Sequence, residues 1–396
     1  MRRLVCPYCF EKFKTSQMLF RCLNPDPNRC PPEQDEALAA YQRLLTAPRL
    51  GRVFSAGGNW LRTPSVGVCS CGMKTSKLVC PHCHNELPSQ FGASDVRTIA
   101  LIGAKESGKS HYIAVLINEL THRVGMSFNA SLNALDEQTI RRYKEDFRRW
   151  VYVDHVTIPP TSSGRVQGSV RYPLAYRFSI KKHSGLTPLN GIRVTSLVFF
   201  DTAGEDLNNI DLMSTETKYL ANSDGIIFLL DPLQIPAVRN LLDHRTELPG
   251  ENTDPQEIIG RAATLIREMR QLNPSQKLKM PVALAFSKID AVRSLFEPGS
   301  PVHEASRHDG AFDTTDCQRV SDNLRAHLSQ WVGPGLDLFL QHNFKTYSYF
   351  GLSAIGSQPD RQGRLPFGVA PFRVDDPLLW ILYQLGIVTG RRKSAR

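Results

Sequence analysis

The feature that most constrains the fold is a loop with two glycines, residues 103–110, between an apolar stretch and an amphipathic one. The stretch "VRTIALIG" predicts a buried strand that ends in the loop, and Ser110–Leu120 predicts the helix after it. The loop fits the pattern G-x-x-x-x-G-K-S/T, whose glycines let backbone N–H groups turn inward around phosphate oxygens. The loop and the residue after it are Gly103, Ala104, Lys105, Glu106, Ser107, Gly108, Lys109, Ser110 and His111. A strand, such a loop and a helix predict an α/β sheet with a phosphate site at its edge.

Two side chains at the end of this loop have specific chemistry. Lys109 would place a compact positive charge on the outer phosphates of a nucleotide, where it also assists catalysis, and the Ser110 hydroxyl would bind Mg2+. The helix that begins here adds the positive end of its dipole. A glycine-rich turn with no ligand is the alternative, but the flanking strand and helix favour the phosphate site.

A second motif, "DTAGED", follows the predicted strand "IRVTSLVFF". Asp201, at the carboxyl end of that strand, can hold Mg2+ through water, and Gly204 can donate its N–H to a γ-phosphate. The pair therefore predicts a site that senses the γ-phosphate.

A third motif, "LAFSKID", contains Ser287, Lys288 and Asp290 after another apolar strand. A carboxylate here can accept two hydrogen bonds from guanine, whereas adenine would leave it unsatisfied at a cost of roughly 1–3 kcal/mol or more. Ser353 and Ala354 in "GLSAIG" are placed for a backbone N–H to contact the guanine O6. These residues predict a guanine nucleotide.

Strand and helix patterns alternate from Val96 onward and predict a mostly parallel sheet with helices on both faces. "RYPLAYRFSI" and "IRVTSLVFF" predict one antiparallel edge strand, because a turn-rich segment joins them. The stretch "TDPQEIIGRAATLIREMRQLNP" predicts a helix. The core stripe expected on that helix is Ile258, Ala262, Leu265 and Met269.

These four motifs, in this order, resemble the P-loop GTPases of the TRAFAC class, nearest their Ras-like members. The resemblance implies a P-loop NTPase fold, GTP and GDP as ligands, and hydrolysis of GTP to GDP and phosphate. It also implies that Ser110, Asp201 and a switch threonine hold Mg2+. Thr161 in "IPPTSSG" is the first choice for that threonine, and Thr157 is the reserve.

Three positions depart from the family pattern. Ser287 stands where asparagine is usual, Glu205 where Ras-like members have glutamine, and Ile355 where lysine is frequent. With Glu205 at the catalytic position, hydrolysis is expected to be slow or to need a partner. An ATP-driven P-loop enzyme is an alternative, but it leaves "SKID" without a role.

An insertion at about residues 121–160 separates the first helix from the expected switch threonine. It contains "EQTIRRYKEDFRRW", which has apolar residues at helical spacing and arginines between them. We expect an amphipathic helix packed on the core. A docking surface, or an arginine acting on the γ-phosphate, is the alternative.

Eight of the nine cysteines lie between residues 6 and 83, in "CPYC", "RCLNPDPNRC", "CSCG" and "CPHC". Thiolates with this spacing bind zinc four at a time, so eight of them predict two Zn2+ ions, and a reducing compartment favours metal over disulfides. Pairing the first four and the last four requires the least threading of the chain. Pairing "CPYC" with "CPHC" is the competing arrangement. The candidate ligands are Cys6, Cys9, Cys22, Cys30, Cys69, Cys71, Cys80 and Cys83.

The chain divides into a double zinc-ribbon module (1–92), a GTPase domain (93–390) and a basic tail (391–396). Of the formal charge of +10, the module has +6 and the tail +4, so the large domain is neutral. An anionic partner would therefore meet the module or the tail, and nucleic acid is one possibility for the basic module.

The expected partner is a protein that docks on the zinc module or on the switch loops. A looser resemblance of this domain combination to bacterial double-GTPases, proposed to act in conflict (defence) systems, implies a regulatory switch. No apolar run approaches the ~18 residues of a membrane span, and no secretory signal is readable, so a cytoplasmic location is expected.

Overall fold

A computed structural model represents the 396-residue chain. The residues that it describes are 3–56, 65–88, 91, 95–159, 172–181, 192–200, 213–242, 250 and 254–391.

Short strands and one helix build the N-terminal module. They are β1 (Arg3–Val5), β2 (Lys12–Lys14), β3 (Leu19–Arg21), β4 (Glu33–Gln34), α1 (Glu36–Gln42), β5 (Arg49–Leu50), β6 (Val53–Ser55), β7 (Gly67–Val68), β8 (Lys74–Thr75) and β9 (Leu78–Val79). All pairs are antiparallel: β1 with β2, β4 with β5, β7 with β8, and β3 between β6 and β9. Strands this short bury little apolar surface, so the stability of the module depends on interactions other than strand pairing.

The spacing of apolar residues over Glu33–Thr46 predicts a helix, and helix α1 is shorter than this prediction. Asp35 caps it by accepting the Leu38 N–H at 2.9 Å, and the chain leaves the helix at Arg43, where φ is 54°. Its buried residue is Ala39, whereas Leu45 is fully exposed. The residues just before the cap pair as β4 with β5, and this pairing overrides the helical pattern there.

The remaining elements build the large domain. They are β10 (Asp95–Gly103), α2 (Lys109–Thr121), α3 (Arg123–Ser127), β11 (Ala130–Ala134), α4 (Glu137–Arg142), α5 (Arg149–Tyr152), β12 (Leu174–Lys181), β13 (Ile192–Phe199), α6 (Met213–Ala221), β14 (Gly225–Leu230), α7 (Pro236–Arg239), α8 (Pro255–Arg270), β15 (Val282–Phe286), β16 (Phe312–Asp313), α9 (Thr314–Val332), α10 (Gly335–Asn343), β17 (Tyr347–Gly351), α11 (Asp376–Gln384) and β18 (Gly390–Arg391). In the described part of the chain, none of the helices has both the length and the apolar composition needed to cross a bilayer.

A seven-stranded sheet in the order β11-β12-β13-β10-β14-β15-β17 forms the centre of this domain. The pairs from β13 to β17 are parallel, and β12 is antiparallel to both of its neighbours. The expected mostly parallel sheet with one antiparallel strand is therefore confirmed. The insertion adds β11 outside that strand, so β12 lies second from the edge.

Helices cover both faces of the sheet, and alternate residues of β10 show this. Ile99 and Leu101 join the core under α2 and α11, whereas Ala100 and Ile102 join the core under α6 and α8. Strands covered on both faces are apolar throughout, which accounts for runs such as "GIIFLL".

The insertion packs on the core as expected. Its helices α4 and α5 are joined by a π-helical segment, Tyr143–Arg148, in which Phe147 is buried against α2. Helix α8 forms where it was expected, but its buried residues are Ile259, Ala262, Ala263 and Ile266, while Met269 is 46% exposed. Packing against α6 and α10 selects this rotated face.

Candidate nucleotide site and metal centres

The expected nucleotide residues that follow β10, β15 and β17 lie at one edge of the sheet, because these parallel strands end in matching register. Gly103 of β10 pairs with Leu229 of β14, and Phe286 of β15 pairs with Leu230 on one side and Gly351 on the other. With neighbouring strands about 4.8 Å apart, β10 and β15 are separated by about 10 Å. A single nucleotide can span that separation.

The loop after β10 turns tightly enough to require its glycines. A Cβ on Gly103 would lie 2.5 Å from both the Leu229 carbonyl oxygen and the Ser107 Oγ. Glu106 and Gly108 have positive φ angles of 62° and 85°. The Ser107 hydroxyl closes the turn by donating to the Ala104 carbonyl at 2.8 Å. This is the curled backbone that a phosphate loop needs.

Lys109 lies across this loop and is 8% exposed. Its Nζ donates to the carbonyl oxygens of Gly103 at 2.7 Å and Ala104 at 2.8 Å, which holds the ammonium group at the loop. The sequence reading missed Gln234, a buried side chain after β14 that donates to the Lys105 carbonyl at 2.7 Å and braces the loop.

Ser110 and His111 lie in the first turn of α2. The His111 Nε2 accepts the Ile158 N–H at 2.9 Å, which ties the start of α2 to the chain just before residues 160–171. Burial lowers the pKa of His111 to about 4, and the nearby charge of Lys288 adds to this effect. His111 is therefore a neutral acceptor at ordinary pH.

The loop after β15 is fixed by its neighbours on both sides. The Ser287 N–H donates to the Leu230 carbonyl at 2.8 Å, and the Ile289 N–H donates to the Leu352 carbonyl at 3.1 Å. Lys288 has a φ of 50° and an ion pair with Asp231 at 2.6 Å. Burial raises the pKa of Asp231, although the Lys288 charge partly opposes the rise. Only its position at the end of "GIIFLL" could have pointed to Asp231.

Asp290 is the residue whose surroundings are most informative. Its Oδ1 is buried and has no hydrogen-bond partner among the described residues. Ser353 follows the adjacent strand β17, but its N–H already donates to the Phe372 carbonyl at 3.0 Å. Of the two residues expected near the guanine O6, this leaves Ala354 as the candidate donor.

Thr161, Asp201, Gly204 and Glu205 lie outside the described residues. The reserve threonine, Thr157, has its N–H bonded to the Gly363 carbonyl at 2.8 Å. Of the residues expected to hold Mg2+, Ser110 is the one that lies among the described residues, in the first turn of α2.

The eight N-terminal cysteines form two groups of four, which contradicts the pairing in sequence order. The first cysteine site is Cys6, Cys9, Cys80 and Cys83, and the second cysteine site is Cys22, Cys30, Cys69 and Cys71. The competing arrangement, "CPYC" with "CPHC", is the one observed. The reason is long-range strand pairing. Strand β3 pairs with β9, and this pairing brings Cys80 and Cys83 close to Cys6 and Cys9.

The spacing of sulfur atoms in both sites fits a tetrahedral metal ion. Neighbouring Sγ atoms are 3.8 Å apart in the first site and 3.6 and 3.9 Å apart in the second. Four thiolates at 2.3 Å from a zinc ion would be about 3.8 Å apart. The two sites can therefore hold metal ions.

Hydrogen bonds reach the sulfur atoms of both sites. In the first site, the backbone N–H groups of Tyr8 and His82 donate to Cys6 and Cys80, both at 3.4 Å. In the second, a hydrogen bond from the Asn24 side chain and one from the Met73 N–H lower the pKa of Cys71 to about 6. His84 binds Asp35 at 2.7 Å, so it is occupied by a carboxylate.

Several known proteins are similar to this chain. SaeC of Mycolicibacterium smegmatis (strain ATCC 700084 / mc(2)155), named for a proposed role in ESX-1 scaffolding and assembly, is 27% identical over 97% of this chain and 99% of its own length. Among solved structures, the signal recognition particle receptor SRb-GTP/SRX complex from Chaetomium thermophilum is similar at 14% identity, covering 68% of this chain and 97% of that one, with a TM-score of 0.29. The Arl6 BBS3 small GTPase from Trypanosoma brucei is similar at 12% identity, covering 74% and 99%, with a TM-score of 0.28. TM-scores this low support no conclusion about fold or function.

The sequence profile of the Double-GTPase 2 family matches residues 97–353, which is well over half of the chain. That range begins in β10 and ends just after β17, so it contains the phosphate loop and the edge of the sheet described above. The chain therefore belongs to the Double-GTPase 2 family.

Proposed function

We propose that the chain is a molecular switch that binds GTP, hydrolyses it to GDP, and changes its contact with a protein partner as it does so. The observation that carries the proposal is the buried, unpartnered Oδ1 of Asp290, two strands away from the phosphate loop. Family membership supports the nucleotide class.

Guanine selectivity would follow from Asp290. A carboxylate oxygen that is out of reach of water costs free energy until a donor reaches it. Guanine offers N1–H and N2–H donors on one edge, and adenine does not. GTP would therefore satisfy a group that ATP leaves unpaired, which argues against the ATP-driven alternative.

The triphosphate would be bound by the backbone N–H groups of residues 104–108 and by Lys109. Mg2+ would be held by Ser110 together with Asp201 and Thr161, and Gly204 would contact the γ-phosphate. With Glu205 where related GTPases have glutamine, the attacking water would be poorly oriented. Hydrolysis would then be slow until a partner assists it.

The two cysteine sites would hold two Zn2+ ions. Thiolate sets with this spacing of sulfur atoms suit zinc, and four cysteines complete its tetrahedral shell, which is the arrangement of a structural site. Because the module has short strands and few large apolar residues, zinc would supply much of its folding free energy.

A protein partner would dock on the zinc module or the switch loops. SaeC, similar over almost its full length, is named for scaffolding and assembly of ESX-1, and this supports a role among protein partners. The basic N-terminal module keeps nucleic acid as an alternative, but the relative gives it no support. Under that alternative, the affinity of the protein for RNA should fall steeply as the salt concentration rises.

Titration calorimetry with GTP, GDP and ATP tests the proposal. We expect both guanine nucleotides to bind at least tenfold more tightly than ATP, because each unmade hydrogen bond to a buried carboxylate costs about 1.5–3 kcal/mol. Asp290→Asn should weaken the binding of GDP and strengthen the binding of xanthosine diphosphate, because the xanthine base presents an acceptor to the new amide. Asp309→Asn, at a carboxylate that is 80% exposed, is the matched control and should change neither. Equal binding of ATP and GTP would end the proposal.

A further inference from the structure

An aromatic residue of the first cysteine site lies in the core of the GTPase domain. Phe10 follows Cys9 and is fully buried. It ends the turn Cys6–Phe10, called the knuckle below, in which its φ is 57° and its N–H donates to the Cys6 carbonyl at 3.1 Å. Its ring centroid is 5.6 Å from that of Phe200 and 4.9 Å from that of Tyr219. The side chain of a metal knuckle thus belongs to the core beneath the nucleotide site.

Polar contacts fix the same knuckle to the end of α6. Asn222, just after this helix, donates from Nδ2 to the Phe10 carbonyl at 2.9 Å. Lys218 forms an ion pair with Glu11 at 2.6 Å. These two contacts link helix α6 to residues 10–11.

The knuckle is also held on its other side. The Tyr8 hydroxyl donates to Asp136 at 2.8 Å, and Asp136 caps helix α4 by accepting the Thr139 N–H. The Tyr41 ring lies 5.9 Å from that of Tyr172, the residue that follows 160–171. The module is thus also attached where β11 ends and β12 begins, which is one end of their antiparallel pair.

Tyr219 carries this contact into the strand that leads to the phosphate loop. The parallel pairing of β10 with β13 ends at Thr98, and the Tyr219 hydroxyl enters the gap beyond it. It donates to the Ile99 carbonyl at 2.6 Å and accepts the N–H groups of Leu101 at 3.1 Å and Phe200 at 3.3 Å. Phe10 therefore packs on Tyr219, whose hydroxyl lies between β10 and β13, the strand that ends shortly before Asp201.

We propose that Phe10 is a positioning residue for the nucleotide site, and that the first cysteine site is part of the switch. A metal ion bound by its four thiolates would fix the conformation of the knuckle and so the position of Phe10. Phe10 in turn packs against Phe200 and α6, which flank residues 201–212 in the sequence. Discrimination between GTP and GDP then depends on this metal centre. The inference rests on the proposed function, because it concerns the same nucleotide site.

The test compares Phe10→Leu with Phe20→Leu in the full chain. Phe20 is equally buried but packs inside the module, with its ring 6.0 Å from that of Phe54. Calorimetry gives the Kd of GDP and of a non-hydrolysable GTP analogue, and metal analysis gives the zinc content. We expect Phe10→Leu to keep both metal ions and GDP binding while the preference for the GTP analogue over GDP changes by about fivefold or more. Phe20→Leu should leave that preference unchanged.

A milder variant and a reciprocal measurement decide the matter if Phe10→Leu fails to fold. Asn222→Ala removes one hydrogen bond to the knuckle and should change the same preference in the same direction. By linkage, the affinity of one of the two cysteine sites for zinc, measured by competition with a chelator at equilibrium, should differ between the native chain with the GTP analogue and the native chain with GDP.

Two results would overturn the inference. One is an unchanged GTP-to-GDP preference in the Phe10 and Asn222 variants, and the other is a zinc affinity that is the same with the GTP analogue and with GDP. Failure of the native chain to bind any guanine nucleotide would instead remove the proposed function, so the two failures are distinguishable.

Discussion

Removing the hydroxyl of Tyr219 should destabilise the domain far more than a single oxygen atom suggests. The side chain is 2% exposed, and its hydroxyl holds the backbone of two strands where they cease to pair with each other. The change Tyr219→Phe keeps the ring, its packing against Phe10 and Phe200, and the shape of the core. Only the hydrogen bonds are lost.

The magnitude follows from the groups left behind. Two buried N–H groups, those of Leu101 and Phe200, lose their acceptor, and the Ile99 carbonyl loses its donor. Each buried donor left unpaired costs about 1–3 kcal/mol, so the expected loss of unfolding free energy for the two donors is about 2–6 kcal/mol. A typical protein has about 5–15 kcal/mol in total.

Tyr112 provides the matched control. It is 1% exposed on α2, and its hydroxyl has no hydrogen-bond partner in the part of the chain that the structure describes. Tyr112→Phe removes the same atom without orphaning any group and should leave the unfolding free energy unchanged or raise it by about 1 kcal/mol. Urea unfolding followed by circular dichroism, with zinc in the buffer, measures both variants. A loss for Tyr219→Phe no larger than that for Tyr112→Phe would refute the reasoning.

Two further predictions concern buried charge and metal pairing. Arg373→Met should cost about 3–5 kcal/mol of unfolding free energy, because it leaves two buried carboxylates at 2.7 and 2.8 Å without their cation. Arg364→Met, at an exposed pair, should cost less than about 1 kcal/mol in the same urea measurement. For the metal, the double serine variant of Cys6 and Cys80 should lose one of two zinc equivalents, whereas that of Cys6 and Cys22 should lose both. The opposite result in metal analysis would restore the pairing in sequence order.

Local patterns in the sequence were enough to predict the strand, phosphate loop and helix at residues 96–120. The glycines and the lysine of such a loop act through their own backbone and their immediate neighbours, so spacing along the chain is nearly the whole description. The order of apolar strands likewise predicted the parallel sheet, and parallel strands bring the ends of β10, β15 and β17 to one edge. For this reason Asp290 could be singled out at this edge, and its role in facing a base stays a prediction.

Contacts between distant segments were beyond the reach of sequence patterns. Eight cysteines can be divided in several ways, and the pairing of β3 with β9 selects one of them. The buried face of α8 was predicted one residue out of phase, because the helices beside it, and not its own periodicity, choose which residues are covered. Phe10 reads as an ordinary residue after a knuckle, and its place between Phe200 and Tyr219 exists only once two folded parts of the chain meet.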